Sequence, residues 1–214
     1  ECAEERGTGP GATPVQGWDV RVWGRFSNQR RELGIRLIMD ELEAFGHKGT
    51  FFVEALGSRF FGLDGLRATC AALRTRGHDV QLHTHPVQMQ ADWRSRGEEP
   101  ASDDIGAYPR DRQVELLREG LDRLEACGVP RAELVAFRAG NYGANNDTWS
   151  AMKDAGLVLS SNFNPCYFDK NCKMRAESAA AGLFEARPGV WELPISNMIE
   201  RGGGHRHAQI TAVS

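Results

Sequence analysis

Leu42-Glu43-Ala44-Phe45-Gly46-His47-Lys48-Gly49-Thr50-Phe51-Phe52-Val53 holds the end of one structural element, a stop, and the start of the next. Upstream, Leu33, Ile35, Leu37, Ile38, Leu42 and Phe45 recur at helical spacing, so the segment from Arg30 reads as a helix capped by Gly46. Residues 49–53 are a short, apolar, β-rich run that reads as a buried strand. The same unit recurs along the chain. A helix over 66–76, closed by Gly77, leads to a strand over 79–83. A longer helix over 111–127, ended by Gly128 and Pro130, leads to a strand over 134–137, and a helix starting near Asn145 ends at Gly156. Further strand candidates lie at 157–159, 190–195 and 209–213.

Helices alternating with strands imply parallel strands joined by crossover helices. An open doubly wound sheet and a (β/α) barrel, distorted or incomplete, both fit this α/β pattern. A doubly wound nucleotide binder carries a Gly-rich turn after its first strand, whereas the only Gly cluster, Gly202-Gly203-Gly204, precedes no convincing helix. The barrel is therefore the expectation. Residues 1–29 read as a loop-rich leading segment, and residues 1–214 as a single domain without an internal linker. The polar stretch 86–109 is long enough to shape a cleft.

With 214 residues, 41% hydrophobic, and 26 Lys+Arg against 29 Asp+Glu, the chain is an ordinary globular domain of net charge −3. That balance argues against a nucleic-acid partner, which calls for a basic stripe. No apolar run approaches the ~20 residues of a membrane span. Glu1-Cys2-Ala3-Glu4-Glu5 has neither a basic nor an apolar leader region, so no signal peptide is visible, which favours the cytoplasm. Cys70 and Cys127 read as buried thiols on helix faces, whereas Cys166 and Cys172 could close a small disulfide loop in an oxidising compartment.

The sharpest chemical feature is His83-Thr84-His85-Pro86, at the end of a predicted strand. Residues i and i+2 of an extended segment project to one side, so both imidazoles can reach one ion. Two imidazoles favour zinc or a neighbouring transition metal, and a catalytic zinc needs a third protein ligand, often a carboxylate. The bland alternative is a pair of loop histidines. Arg138, in Phe137-Arg138-Ala139-Gly140-Asn141-Tyr142-Gly143, also follows a strand; it can hold a catalytic carboxylate or be a surface residue beside a turn. Trp191-Glu192 offers either a site carboxylate or a core Trp beside a solvated Glu.

In combination these segments resemble the polysaccharide deacetylase family, the NodB-homology carbohydrate esterases, from about Gly34 to Ser196. The order of helix, Gly-Thr-Phe-Phe strand, helix, Gly77-His78-Asp79 strand, histidine motif and Phe137-Arg138-Ala139-Gly140 carries the likeness. The resemblance implies a distorted (β/α) barrel and a divalent metal, zinc by the ligand chemistry, held by His83 and His85. Arg138 would orient the catalytic aspartate. The implied reaction removes an acetyl or other acyl group from an amino sugar or polysaccharide.

The family's usual histidine motif is His-Ser/Thr-x-x-His, so the His-x-His spacing here matches a divergent branch. Its Asp-containing first motif is not seen; Glu1 matches the last residue of the Asp-x-Glu form, and Asp19 is a fallback carboxylate. Its late general-acid histidine is absent from its usual setting, leaving His205 and His207 as substitutes. By this reading the domain is truncated at both ends. The competing functions are a non-catalytic glycan-binding domain and an amidohydrolase acting on a small non-sugar amide.

Overall fold

The computed structural model describes residues 17–26, 28, 30–98, 102–168, 170–176 and 182–207. The helices are α1 (Trp18–Arg21), α2 (Ile35–Ala44), α3 (Ser58–Phe61), α4 (Leu63–Thr75), α5 (Gln90–Ser95), α6 (Arg110–Ala126) and α7 (Asn146–Ala155). The strands are β1 (Thr50–Glu54), β2 (Asp79–Thr84), β3 (Ala136–Ala139), β4 (Leu159–Ser160), β5 (Phe184–Arg187), β6 (Val190–Glu192), β7 (Asn197–Ile199) and β8 (His205–His207). Among the described residues no helix is long and apolar enough to cross a membrane.

The fold is mixed α/β, with a six-stranded sheet in the order β1-β2-β3-β4-β6-β5. Strands β1, β2, β3, β4 and β6 are parallel, as the alternation of helices and strands requires. The expected barrel is not closed: among the described residues the sheet is open, with β1 at one edge and β5 at the other. Strand β5 joins β6 through a tight turn at Pro188-Gly189, not a crossover helix, so it runs antiparallel and the parallel winding stops there. The Gly cluster 202–204 turns a separate antiparallel hairpin of β7 and β8. The expected strand over 209–213 and most of the leading segment lie outside the described residues.

Helix α6 places Val114, Leu117, Leu121 and Leu124 at three- and four-residue intervals, and all four are buried. Together with Leu66 and Leu73 of α4 and Trp149 of α7, they cover one face of the sheet around Leu82 and Phe137. Fully burying one such side chain contributes about 1.5–3 kcal/mol, so this face is the main source of stability. Helix α7 starts with a capping box between Asn145 and Thr148 and ends at Gly156 in the left-handed conformation, φ 86°. Buried Gln81 on β2 accepts from the Val135 and Ala136 amides at 2.9 and 2.7 Å and so fixes where β3 begins.

Two side-chain readings are corrected. Glu192 is 0% exposed and Trp191 is 44% exposed, the reverse of a core Trp beside a solvated Glu. Strand alternation turns Glu192 inward with Val190, where its carboxylate accepts from the Asn162 and Phe163 amides and from Trp149 Nε1. Cys166 and Cys172 are free thiols, so no disulfide joins them: Cys172 is turned into the core toward the Asn162 carbonyl, while Cys166 is half-buried. Cys70 and Cys127 are buried, as their helix faces suggest.

Candidate functional site

The carboxyl ends of β1, β2 and β3 bring three backbone positions into line: Glu54 pairs in register with His83, and His83 with Arg138. A cleft of about 410 Å³ opens there, lined by Thr50, Phe51, Phe52, His83, Arg138, Ala139, Asn141, Tyr142, Tyr167 and Asn171. In parallel sheets ligands bind beyond the carboxyl ends of the strands, where loops are free to vary without disturbing the core.

Alternation along β2 sends Leu82 and Thr84 toward α6, where both lie close to Gly120, and sends His83 and His85 to the opposite side. The two imidazoles meet with centroids 5.0 Å apart and planes at 83°. His83 Nδ1 lies 2.7 Å from the Arg138 carbonyl, which can only accept, so Nδ1 carries the proton. Burial, with the neighbouring His85 adding to it, pushes the His83 pKa down to about 3, which keeps the ring neutral as a metal ligand must be. His85 Nδ1 lies 2.6 Å from Asp103 Oδ2. Burial pulls the His85 pKa down, but the hydrogen bond and charge of Asp103 outweigh it and the net shift is upward. His85 Nε2 is buried and has no hydrogen-bond partner among the described residues.

In ligand type these residues suit a metal ion such as zinc, which takes neutral imidazole nitrogens. With Nδ1 of each ring committed, Nε2 is the nitrogen left for a ligand. Among the described residues no group of three His, Cys, Asp or Glu gathers around one metal-sized space.

Arg138 stands in the same cleft, its guanidinium stacked 4.2 Å from the centre of the Phe52 ring. Nε and Nη2 donate to the carbonyl and hydroxyl of Ser161 at 3.3 and 2.8 Å. The expected carboxylate partner is not present among the described residues; Ser161, delivered by the loop after β4, takes that fork instead. Burial lowers the Arg138 pKa. Asp19, the fallback carboxylate, lies on α1, exposed and paired with Arg25 at 2.5 Å, and lines no part of the cleft. Glu1 lies outside the described residues. The backbone of His207 pairs with Asn197 in the β7–β8 hairpin, and β8 lies against the turn that carries Tyr167. The side chains of His205 and His207 are not among those described.

Several site residues escaped the sequence reading. Glu54, 3% exposed, accepts from the Leu56, Gly57 and His85 amides at 2.9, 2.7 and 3.4 Å. Burial pushes its pKa up to about 7 against the pull of those amides. The signal for it was a carboxylate at the end of a strand next to the histidine strand. Asp103 and Asp104 come from the polar stretch 86–109; neither lines the cleft, but Asp103 bonds His85 and both bond Asn141, so the stretch braces the cleft from behind. Asn171 donates to both oxygens of Asp104, at 3.2 and 3.0 Å. Asn141 and Tyr142 both have φ 55°, a left-handed conformation that costs a non-glycine residue about 1–3 kcal/mol and concentrates at functional sites. Gly140, just before them, passes so close to His85 that an added Cβ would lie 2.5 Å from its ring.

No family model matches this chain, and no curated protein matches it.

Proposed function

We propose that this chain is a metal-dependent hydrolase of the polysaccharide deacetylase type, on an incomplete (β/α) barrel, that removes an acetyl group from an amino sugar or polysaccharide. The observation that carries the reading is the pair His83 and His85: same side of a strand end, each Nδ1 engaged, each Nε2 left for a ligand. Zinc bound there would supply Lewis acidity toward an acyl carbonyl.

The chain's own groups supply orientation. The cleft is lined by the rings of Tyr142 and Tyr167 and the amides of Asn141 and Asn171, a mixture suited to a sugar ring and its hydroxyls. Arg138 keeps its charge whatever its burial, because guanidinium does not lose its proton in proteins. Ser161 uses Nε and Nη2, which leaves Nη1 for a carboxylate or a substrate oxygen. The proton-accepting carboxylate and the proton-donating histidine are assigned by resemblance alone, to Glu1 and His207.

The test is to load the purified chain with zinc, measure bound metal, and assay N-acetylglucosamine oligomers alongside a generic acetyl ester. The expected result is one zinc per chain, lost in His83→Ala and in His85→Ala, with release of acetate from the oligomers. Oligomer binding without turnover would make this a glycan-binding domain, and turnover only of small non-sugar amides would make it an amidohydrolase.

A further inference from the structure

Asp103 reaches the site from a part of the chain distant from both strands that it touches. Its Oδ2 accepts from His85 Nδ1 at 2.6 Å and from Asn141 Nδ2 at 3.0 Å, and its Oδ1 accepts from the Val87 amide at 3.2 Å. Three donors, from the end of β2, the turn after it, and the end of β3, thus converge on one carboxylate. Gly140 lies against the His85 ring at Cε1 and Nδ1, where no Cβ could fit. The ring is held by a carboxylate at one nitrogen and by backbone across its face, while Nε2 is buried without a hydrogen-bond partner among the described residues. An unsatisfied buried nitrogen costs free energy, and a ligand there would recover it.

We infer that Asp103 is a positioning residue for His85: it holds the ring in the Nδ1–H tautomer and orientation that present the Nε2 lone pair. Asn141, whose left-handed backbone turns its amide to Asp103, fixes the carboxylate in turn. A carboxylate behind a ligating imidazole orients it and increases its basicity. His83 has only a neutral carbonyl in that position, so the two histidines are unequal donors. The inference rests on the metal reading for its purpose, but its content concerns the ring and can be measured without metal.

The experiment uses the full chain labelled with 15N at histidine, first in chelator. Long-range proton–nitrogen spectra, recorded on the alkaline plateau where the His85 resonances no longer move with pH, report which nitrogen of the neutral ring carries the proton. Wild type should show Nδ1–H, and Asp103→Ala should show a mixture of tautomers. Asp103→Asn, nearly the same shape and still able to accept from Nδ1–H, should retain the wild-type tautomer. Zinc affinity, read by competition with a chromophoric chelator, should fall about 10- to 100-fold in Asp103→Ala and less in Asp103→Asn. An unchanged tautomer in Asp103→Ala, with a melting temperature showing that it is folded, overturns the inference. If Asp103→Ala does not fold, wild type and Asp103→Asn carry the test: Nδ1–H in both, with weaker zinc affinity in Asp103→Asn, supports the inference, and an Nε2–H tautomer in wild type overturns it. A wild-type chain with the expected tautomer that takes up no zinc would sink the metal reading and leave the role of Asp103 standing.

Discussion

His83 and Arg138 are register partners on adjacent parallel strands, and the imidazole Nδ1 of the first donates to the backbone carbonyl of the second at 2.7 Å. One contact therefore sets the tautomer of a candidate ligand and ties it to the strand that carries the only cation among the cleft-lining residues described. The strand bearing the guanidinium also anchors the imidazole, so disturbing β3 should be felt at both.

Arg138→Lys keeps a charge but gives up the planar fork to Ser161 and the stacking on Phe52. If Arg138 orients a reacting group, losing charge-assisted bonds of about 1.5–3 kcal/mol should lower kcat by roughly 10- to 100-fold. Zinc affinity should change by much less, because the anchor for His83 is the Arg138 carbonyl. Steady-state kinetics beside a zinc titration separate the two, and equal losses in both would count against an orienting role.

Gly140→Ala puts a methyl group 2.5 Å from His85 Cε1 and Nδ1. Overpacking costs about 1–3 kcal/mol, and the ring is the part that can move. Zinc binding should weaken at least about tenfold while the far-ultraviolet circular dichroism stays native. A variant with wild-type affinity would show that the ring position is not critical.

Glu54 has a folded-state pKa raised to about 7 from the ordinary 4.5, chiefly by burial. Its protonated form is favoured by folding, so this contribution is fully present below about pH 4.5 and is lost as pH rises through about 7. Between those limits the linkage amounts to roughly 3 kcal/mol. Denaturant melts of metal-free wild type and Glu54→Gln should therefore show the wild-type advantage shrinking with rising pH. The other titrating groups are common to both proteins and cancel in the difference; a pH-independent gap would mean that Glu54 titrates normally.

Glu192→Gln replaces an acceptor for three donors with an amide that turns an N–H toward at least one of them. Leaving buried groups unsatisfied costs about 1–3 kcal/mol, or ~2–10 °C in a chain of this size. Because this carboxylate braces 162–163 and Trp149 and lies outside the cleft lining, stoichiometric zinc should be retained at low temperature. Loss of metal without loss of melting temperature would move Glu192 into the site.

By itself the sequence determined the parallel core and the histidine pair, since both rest on short-range periodicity. Apolar spacing of three and four marks α2, glycine stops mark the ends of α4, α6 and α7, and a period of two places His83 and His85 on one side of β2 whatever surrounds them. The turn Pro188-Gly189 went unread as a hairpin, because β5 beside it is too short and too polar to announce a strand. Only the tertiary structure decided that, among the described residues, the sheet is open, Glu192 points inward, and Arg138 meets Ser161. It alone brought Asp103 to His85, across 18 positions of chain, and Asn141 to Asp103, across 38. No local pattern encodes such pairings: a polar loop residue looks solvated until strand register and helix packing bring a buried donor to it, and the cost of leaving that donor unpaired then selects the partner.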